Sequence, residues 1–110
     1  ISPGLIHGTF ARLAGIDGSV FVNAGGRFSP TREEGRSVAR KLEEPLGKLR
    51  RGWAVPAGGM SPERVPEILS DYGSEVMVLI GGAILADERG VQKATEDLRE
   101  ALDRSRTDRP

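Results

Sequence analysis

The chain has 110 residues, and sixteen Lys plus Arg balance sixteen Asp plus Glu, so the formal net charge at pH 7 is zero. That balance gives neither nucleic acid nor an anionic membrane a reason to bind, while 37% apolar and 29% charged residues suit a soluble globular domain. Cysteine is absent, which excludes disulfides and thiolate metal sites and fits a cytoplasmic protein.

The opening segment, Pro3 to Leu13, reads as a partial helix, and Ser2-Pro3 supplies a hydroxyl N-cap followed by a proline at the first helical position. No basic region or cleavage site of a secretory signal precedes it. Ser19 to Asn23 (Ser-Val-Phe-Val-Asn) is short, apolar and β-branched, and predicts a first strand buried on both faces. A helix follows, capped at Ser29-Pro30, with Val38, Leu42 and Leu46 recurring every four residues. Trp53 to Pro56 predicts the second strand. After it, Ser61-Pro62 marks another helix start, and Val65, Ile68, Leu69 and Tyr72 fall at i, i+3, i+4 and i+7. Pro66 removes a donor just inside that helix, so its first turn is expected to be irregular or its start to lie near Val65.

Val76 to Ile80 predicts the third strand, and the apolar run that it opens, Val76 to Ala86, is too short to cross a bilayer. The last helix carries Val91, Ala94, Leu98, Ala101 and Leu102 on one face. Residues 1–104 are expected to form one unit, with a frayed polar tail over 105–110. The order α-βα-βα-βα implies a parallel sheet. A flavodoxin-like or Rossmann half stays open on pattern alone. However, three strands make a poor sheet by themselves, and no Gly-x-Gly-x-x-Gly follows a strand. The pattern fits best an α/β chain holding three strand–helix units of a (β/α)8 barrel.

Fifteen glycines are present, and three pairs follow the predicted strands: Gly25-Gly26, Gly58-Gly59 and Gly81-Gly82. Ligands of α/β proteins bind at the carboxyl ends of strands. Two consecutive strands ending in Gly-Gly would set a nest of backbone N–H groups there, and Ala83 to Ala86 would form a short helix beside it. Gly58, Gly59, Gly81 and Gly82 are therefore the candidate phosphate-binding residues, set against ordinary close packing at strand ends. Arg27, after the first pair, is a candidate to fork onto a phosphate or carboxylate. His7, the single histidine, lies away from any strand end and suits a surface or capping role. No Ser/His/Asp arrangement appears. Glu33, Glu34, Glu43 and Glu44 read as helix surface, and Asp87-Glu88 as a solvated turn. The chain thus offers half a binding site and no base, nucleophile or metal cage.

Leu13-Ala14-Gly15-Ile16-Asp17, then Gly26-Arg27, then Val55-Pro56-Ala57-Gly58-Gly59-Met60, then Leu79-Ile80-Gly81-Gly82-Ala83 is an ordered set. It resembles the carboxyl-terminal part of RuBisCO large chains, and most of all the RuBisCO-like proteins that do not fix carbon dioxide. The resemblance implies barrel strands 6, 7 and 8 with their helices. It places Arg27 where the family has a catalytic lysine in the loop after strand 6. Gly58-Gly59 and Gly81-Gly82 match glycines after strands 7 and 8, the latter pair binding phosphate through backbone amides.

Departures from RuBisCO proper are specific: Val20 stands for a histidine, Ala57 for a serine and Arg27 for the lysine. Carboxylation is therefore not expected. The resemblance implies instead magnesium-stabilised enolate chemistry on a phosphorylated sugar or sugar acid, as isomerase, enolase or decarboxylase. The magnesium ligands and the general base would lie outside these residues. The complete barrel is expected to be the enzyme, and this piece alone inactive. Its abrupt start without Met suggests a fragment. A homodimer, a higher oligomer or pairing with the rest of the barrel is expected. The rivals are a non-catalytic, self-associating partial barrel and a different barrel family using the same phosphate position.

Overall fold

Two parallel strands and the helices behind them organise the structure, a computed structural model that describes residues 1–22, 31–73 and 75–107. A π-helical segment, Leu5–Phe10, runs directly into an α-helical turn, Ala11–Leu13 (α1). Strand β1 (Gly18–Val22), helix α2 (Arg32–Glu43) and strand β2 (Trp53–Ala57) follow. A 3-10 turn (Pro62–Arg64) then leads into α3 (Val65–Tyr72), the short α4 (Gly82–Leu85) and the long α5 (Val91–Thr107). β1 and β2 pair in parallel, with Gly18 opposite Trp53 and Val22 opposite Ala57. The βαβ order expected from the alternating periods is present.

Local chemistry explains where the helices start. Ser2 Oγ accepts the Leu5 N–H at 3.3 Å, as a cap before Pro3 should. The expected Ser29-Pro30 cap lies outside the described residues, and Thr31 fills that role. Its hydroxyl accepts the Glu34 N–H while the Glu34 carboxylate accepts the Thr31 N–H, a reciprocal capping box. Ser61 makes no such bond. Pro62 opens a 3-10 turn instead, and the α-helix begins at Val65, next to the proline that lacks a donor.

One face of the sheet is covered. Phe21, Ala54 and Met60 meet Val38, Ala39 and Leu42 of α2 and Ile68 and Tyr72 of α3, with the Phe21 and Tyr72 rings edge to face at 5.5 Å. Leu42 and Ile68 are fully buried, so each stabilises the fold by about 1.5–3 kcal/mol. Two glycines let the N-terminal helix lie directly on α2: a Cβ at Gly8 would come 2.5 Å from Lys41 Cβ, and one at Gly4 would strike Ser37 Oγ. Arg32 and Arg36 both donate to the buried carboxylate of Asp71, at 2.5 and 2.9 Å, and tie α2 to α3.

Three expectations are corrected. Val76–Ile80 is not a strand: it touches β2 through one bridge, Val76 to Ala54, and one bond, Met77 N–H to Ala54 O at 2.9 Å. Its side chains still alternate, with Val76, Val78 and Ile80 packed on the core and Met77 and Leu79 half exposed. It has the pleat of a strand, but the described residues supply no neighbour on its other side to complete a ladder. β1 is not buried on both faces. Phe21 is covered, yet Val20 and Val22 are 55% and 53% exposed because none of the described residues covers the opposite face. Leu46 falls beyond α2, which ends at Glu43. At the other end, α5 runs to Thr107.

Candidate functional site

Parallel pairing sends β2 and the extended 76–80 segment the same way, so the chain leaves both through glycine pairs at one end. There, Gly58, Gly59, Met60, Leu79, Gly81, Gly82 and Ala83 line a pocket of about 460 Å³. The structure thus brings four of the five candidate site residues together. The fifth, Arg27, and the Gly25-Gly26 pair lie outside the described residues. None of the lining side chains is charged, so the polar groups the pocket offers are those of the backbone.

The two pairs are glycine for different reasons. Gly58 and Gly59 have φ of +87° and +61°, a backbone region that L side chains rarely adopt. Gly81 and Gly82 have no positive φ, and a Cβ added at either would meet nothing within 4 Å. Close packing among the described residues, the ordinary explanation for glycine at a strand end, therefore does not account for Gly81-Gly82. Gly81 is the N-cap of α4 and offers no side chain to cap it. The N–H groups of Gly82 and Ala83, in the first turn, have no intrahelical acceptor. The short helix expected over Ala83–Ala86 is found at Gly82–Leu85, with Ala86 as its C-cap.

The surroundings are quiet electrostatically. Asp87, after α4, is engaged by Arg89, whose side chain and backbone N–H both donate to it and hold its carboxyl down at about 2. Arg89 in turn bridges to Asp97 at 2.7 Å. This cluster belongs to the start of α5 and not to the pocket lining, in keeping with a solvated turn. His7 sits half-buried in the π-helical segment, away from the glycine pairs. A wider concavity, about 850 Å³, runs along α5 past Gln92, Thr95, Glu96 and Arg99. It is the outer face of a single helix and gathers no convergent groups. Among the described residues, no three His, Cys, Asp or Glu side chains stand where they could hold a metal ion.

Sequence reasoning missed Met60 and Leu79, which line the pocket, and Arg64. The last donates from Nη1 to the Gly59 carbonyl at 2.7 Å. Met60 and Leu79 flank the glycine pairs directly, and that adjacency was a usable signal. Arg64 sits in a helix-start sequence and carried none.

No family model matches the chain. The 5-methylthioribulose-1-phosphate isomerase of Rhodospirillum rubrum is 46% identical over 85 residues, which are 77% of this chain and 23% of that protein. The 2,3-diketo-5-methylthiopentyl-1-phosphate enolase of Bacillus cereus is 30% identical over 110 residues, all of this chain and 27% of its own length. Among solved structures, the Rubisco-like protein of Rhodopseudomonas palustris superposes with a TM-score of 0.81 at 33% identity, over 94% of this chain and 27% of that one. The chain spans about a quarter of the length of the curated relatives it matches. Ordered glycine motifs, parallel strand–helix units and the named relatives agree: the chain belongs to the RuBisCO-like proteins.

Proposed function

We propose that this chain is the phosphate-binding part, about strands 6 to 8, of a RuBisCO-like barrel. The whole protein would act on a phosphorylated sugar or sugar acid as an isomerase, enolase or decarboxylase. One observation carries the reading: both glycine pairs line a single pocket, and at Gly81 and Gly82 neither φ nor packing among the described residues calls for glycine. A glycine without an internal reason suits close approach of something external. Backbone N–H groups converging on a pocket suit an anion. The names of both relatives specify a 1-phosphate substrate, which fits that anion.

In this reading Gly58, Gly59, Gly81 and Gly82 grip the phosphate, and Arg27 closes over the substrate. The grip itself does no chemistry. It holds the substrate so that groups elsewhere in the barrel act on a fixed carbon skeleton, which converts binding energy into orientation. Among the described residues no three ligating side chains gather as a magnesium centre would need. In this reading such an ion would be held mainly by residues of the remaining barrel.

The half-exposed Val20, Val22, Met77 and Leu79 face the side that the remainder of the barrel would cover. A second reading, a non-catalytic partial barrel that self-associates, rests on the same apolar face. Sedimentation of the 110-residue chain tests this second reading, because a stable compact monomer contradicts self-association.

The test of the phosphate grip uses the full protein. Gly82→Val places its side chain in open space, so folding should be unaffected while the pocket is filled. Titration with inorganic phosphate is expected to show binding weakened by about tenfold or more. Unchanged affinity in a folded variant refutes the grip.

A further inference from the structure

The Gly58-Gly59 turn is held from behind. Arg64, the last residue of the 3-10 turn, places Nη1 2.7 Å from the Gly59 carbonyl oxygen. Its Nε and Nη2 each lie 3.4 Å from the carboxylate of Glu67, three residues on. The Arg64 side chain is only 24% exposed. A guanidinium has a rigid fork, so a carboxylate on one edge and a carbonyl on the other fix its plane. Neither Arg64 nor Glu67 is among the residues that line the pocket, whereas Gly58, Gly59 and Met60 are.

We propose that Arg64 is a positioning residue for the phosphate subsite: by clamping the Gly59 carbonyl outside the pocket, it stops the Gly59–Met60 peptide from turning that oxygen inward. The inference rests on the phosphate-binding reading above.

The physical case is one of freedom and its removal. A turn of two glycines, both at positive φ, can reorient its peptide planes at little steric cost. A peptide is rigid and trans, so its C=O and N–H point opposite ways and fixing one fixes the other. A flip would put a carbonyl dipole where an anion is to sit, turning attraction into repulsion. A short charge-assisted bond to that carbonyl opposes the flip. The clamp does not crowd the turn, since a Cβ at Gly59 would meet Arg64 Nη1 at an ordinary 3.5 Å.

The experiment compares wild type, Arg64→Met, Arg64→Lys and Gly82→Val in the full protein. Inorganic phosphate is titrated calorimetrically, urea unfolding is followed in parallel, and the Met60 amide is observed by 1H–15N NMR. Loss of one charge-assisted bond is expected to weaken phosphate binding about tenfold in Arg64→Met. Arg64→Lys, which keeps a donor for the carbonyl, should recover most of the affinity. The Met60 amide resonance should move in the methionine variant and return in the lysine variant, a response that general loosening would not produce. Wild-type affinity in Arg64→Met alongside lost affinity in Gly82→Val overturns the clamp and leaves the phosphate grip standing. Failure of Arg64→Lys to recover binding also overturns the clamp. If wild type itself binds no phosphate, both fall.

Discussion

Arg12 is a charged side chain with 3% exposure whose acceptors among the described residues are all main-chain carbonyls. Nη1 donates to Glu44 O at 2.6 Å and Lys41 O at 3.0 Å, Nε to Arg50 O at 3.3 Å and Nη2 to Leu49 O at 3.4 Å. Two of these acceptors belong to the C-terminal end of α2, where carbonyls lack intrahelical donors and a cation is favoured. The other two belong to the segment that leads into β2. Arg12 therefore joins the N-terminal helix, the end of α2 and the entrance of the second strand.

Replacing it with methionine keeps the apolar stem and removes every donor. Only the two shorter contacts have good hydrogen-bond lengths, and counting those at roughly 1.5 kcal/mol each gives about 3 kcal/mol. Loss of the helix-end interaction adds a few tenths to about 1 kcal/mol, while relief of the guanidinium's own burial works the other way. The net expectation for Arg12→Met is a destabilisation of about 2–4 kcal/mol. Urea unfolding of the full protein measures it as a lower midpoint at constant slope. A loss below about 0.5 kcal/mol, the range of an ordinary surface substitution, would refute the argument that backbone carbonyls justify this buried charge.

The Asp71 carboxyl is held below its ordinary value, first by the hydrogen bond from Arg32 and then by the one from Arg36, against the opposing effect of burial. A depressed folded pKa means the stabilisation is present above the unfolded value of about 3.9 and is lost as pH falls through the folded one. Asp71→Asn should cost about 1 kcal/mol at neutral pH and flatten the acid limb of a stability-versus-pH curve. An unchanged limb would contradict this. Gly8→Ala sets two effects against each other: helix propensity favours alanine by roughly 1 kcal/mol, but the 2.5 Å approach to Lys41 Cβ forces the helices apart at about 1–3 kcal/mol. A net loss is expected in the same unfolding assay, and a gain would show that the helices have room to spare.

Much of the fold was legible because it depends on local period and end chemistry. Val65, Ile68, Leu69 and Tyr72 stand at helical spacing, and all four are buried. Pro66 announced an irregular start, and the 3-10 turn supplies it. What failed depends on neighbours. Val76–Ile80 has the composition of a strand, but a strand is a relation between two chains, and on one side the described residues provide none. Val20 and Val22 are β-branched, as a buried face requires, yet burial needs a second surface. Gly4 and Gly8 stood four apart in plain view, but an apolar pattern search passes over glycine. Arg12 was invisible because its acceptors are backbone atoms 29 to 38 residues away. At the site, the glycine pairs were readable from their place after two apolar runs. Arg64 was not, since nothing in its own surroundings says which carbonyl it will find.

The register of β1 against β2 also bears on how this piece comes to be folded. Gly18 meets Trp53 and Val22 meets Ala57, so every rung of the ladder joins residues about 35 positions apart, and ring closure must be completed before the first rung gives any return. α2 lies within that ring and is pinned at its start by a contact spanning only three residues, Thr31 to Glu34. The natural sequence of events is a helix that shortens the effective span, then docking of Val38 and Leu42, and last the closing of the two strands. The glycine pocket, built where β2 ends, depends on that closure for its shape.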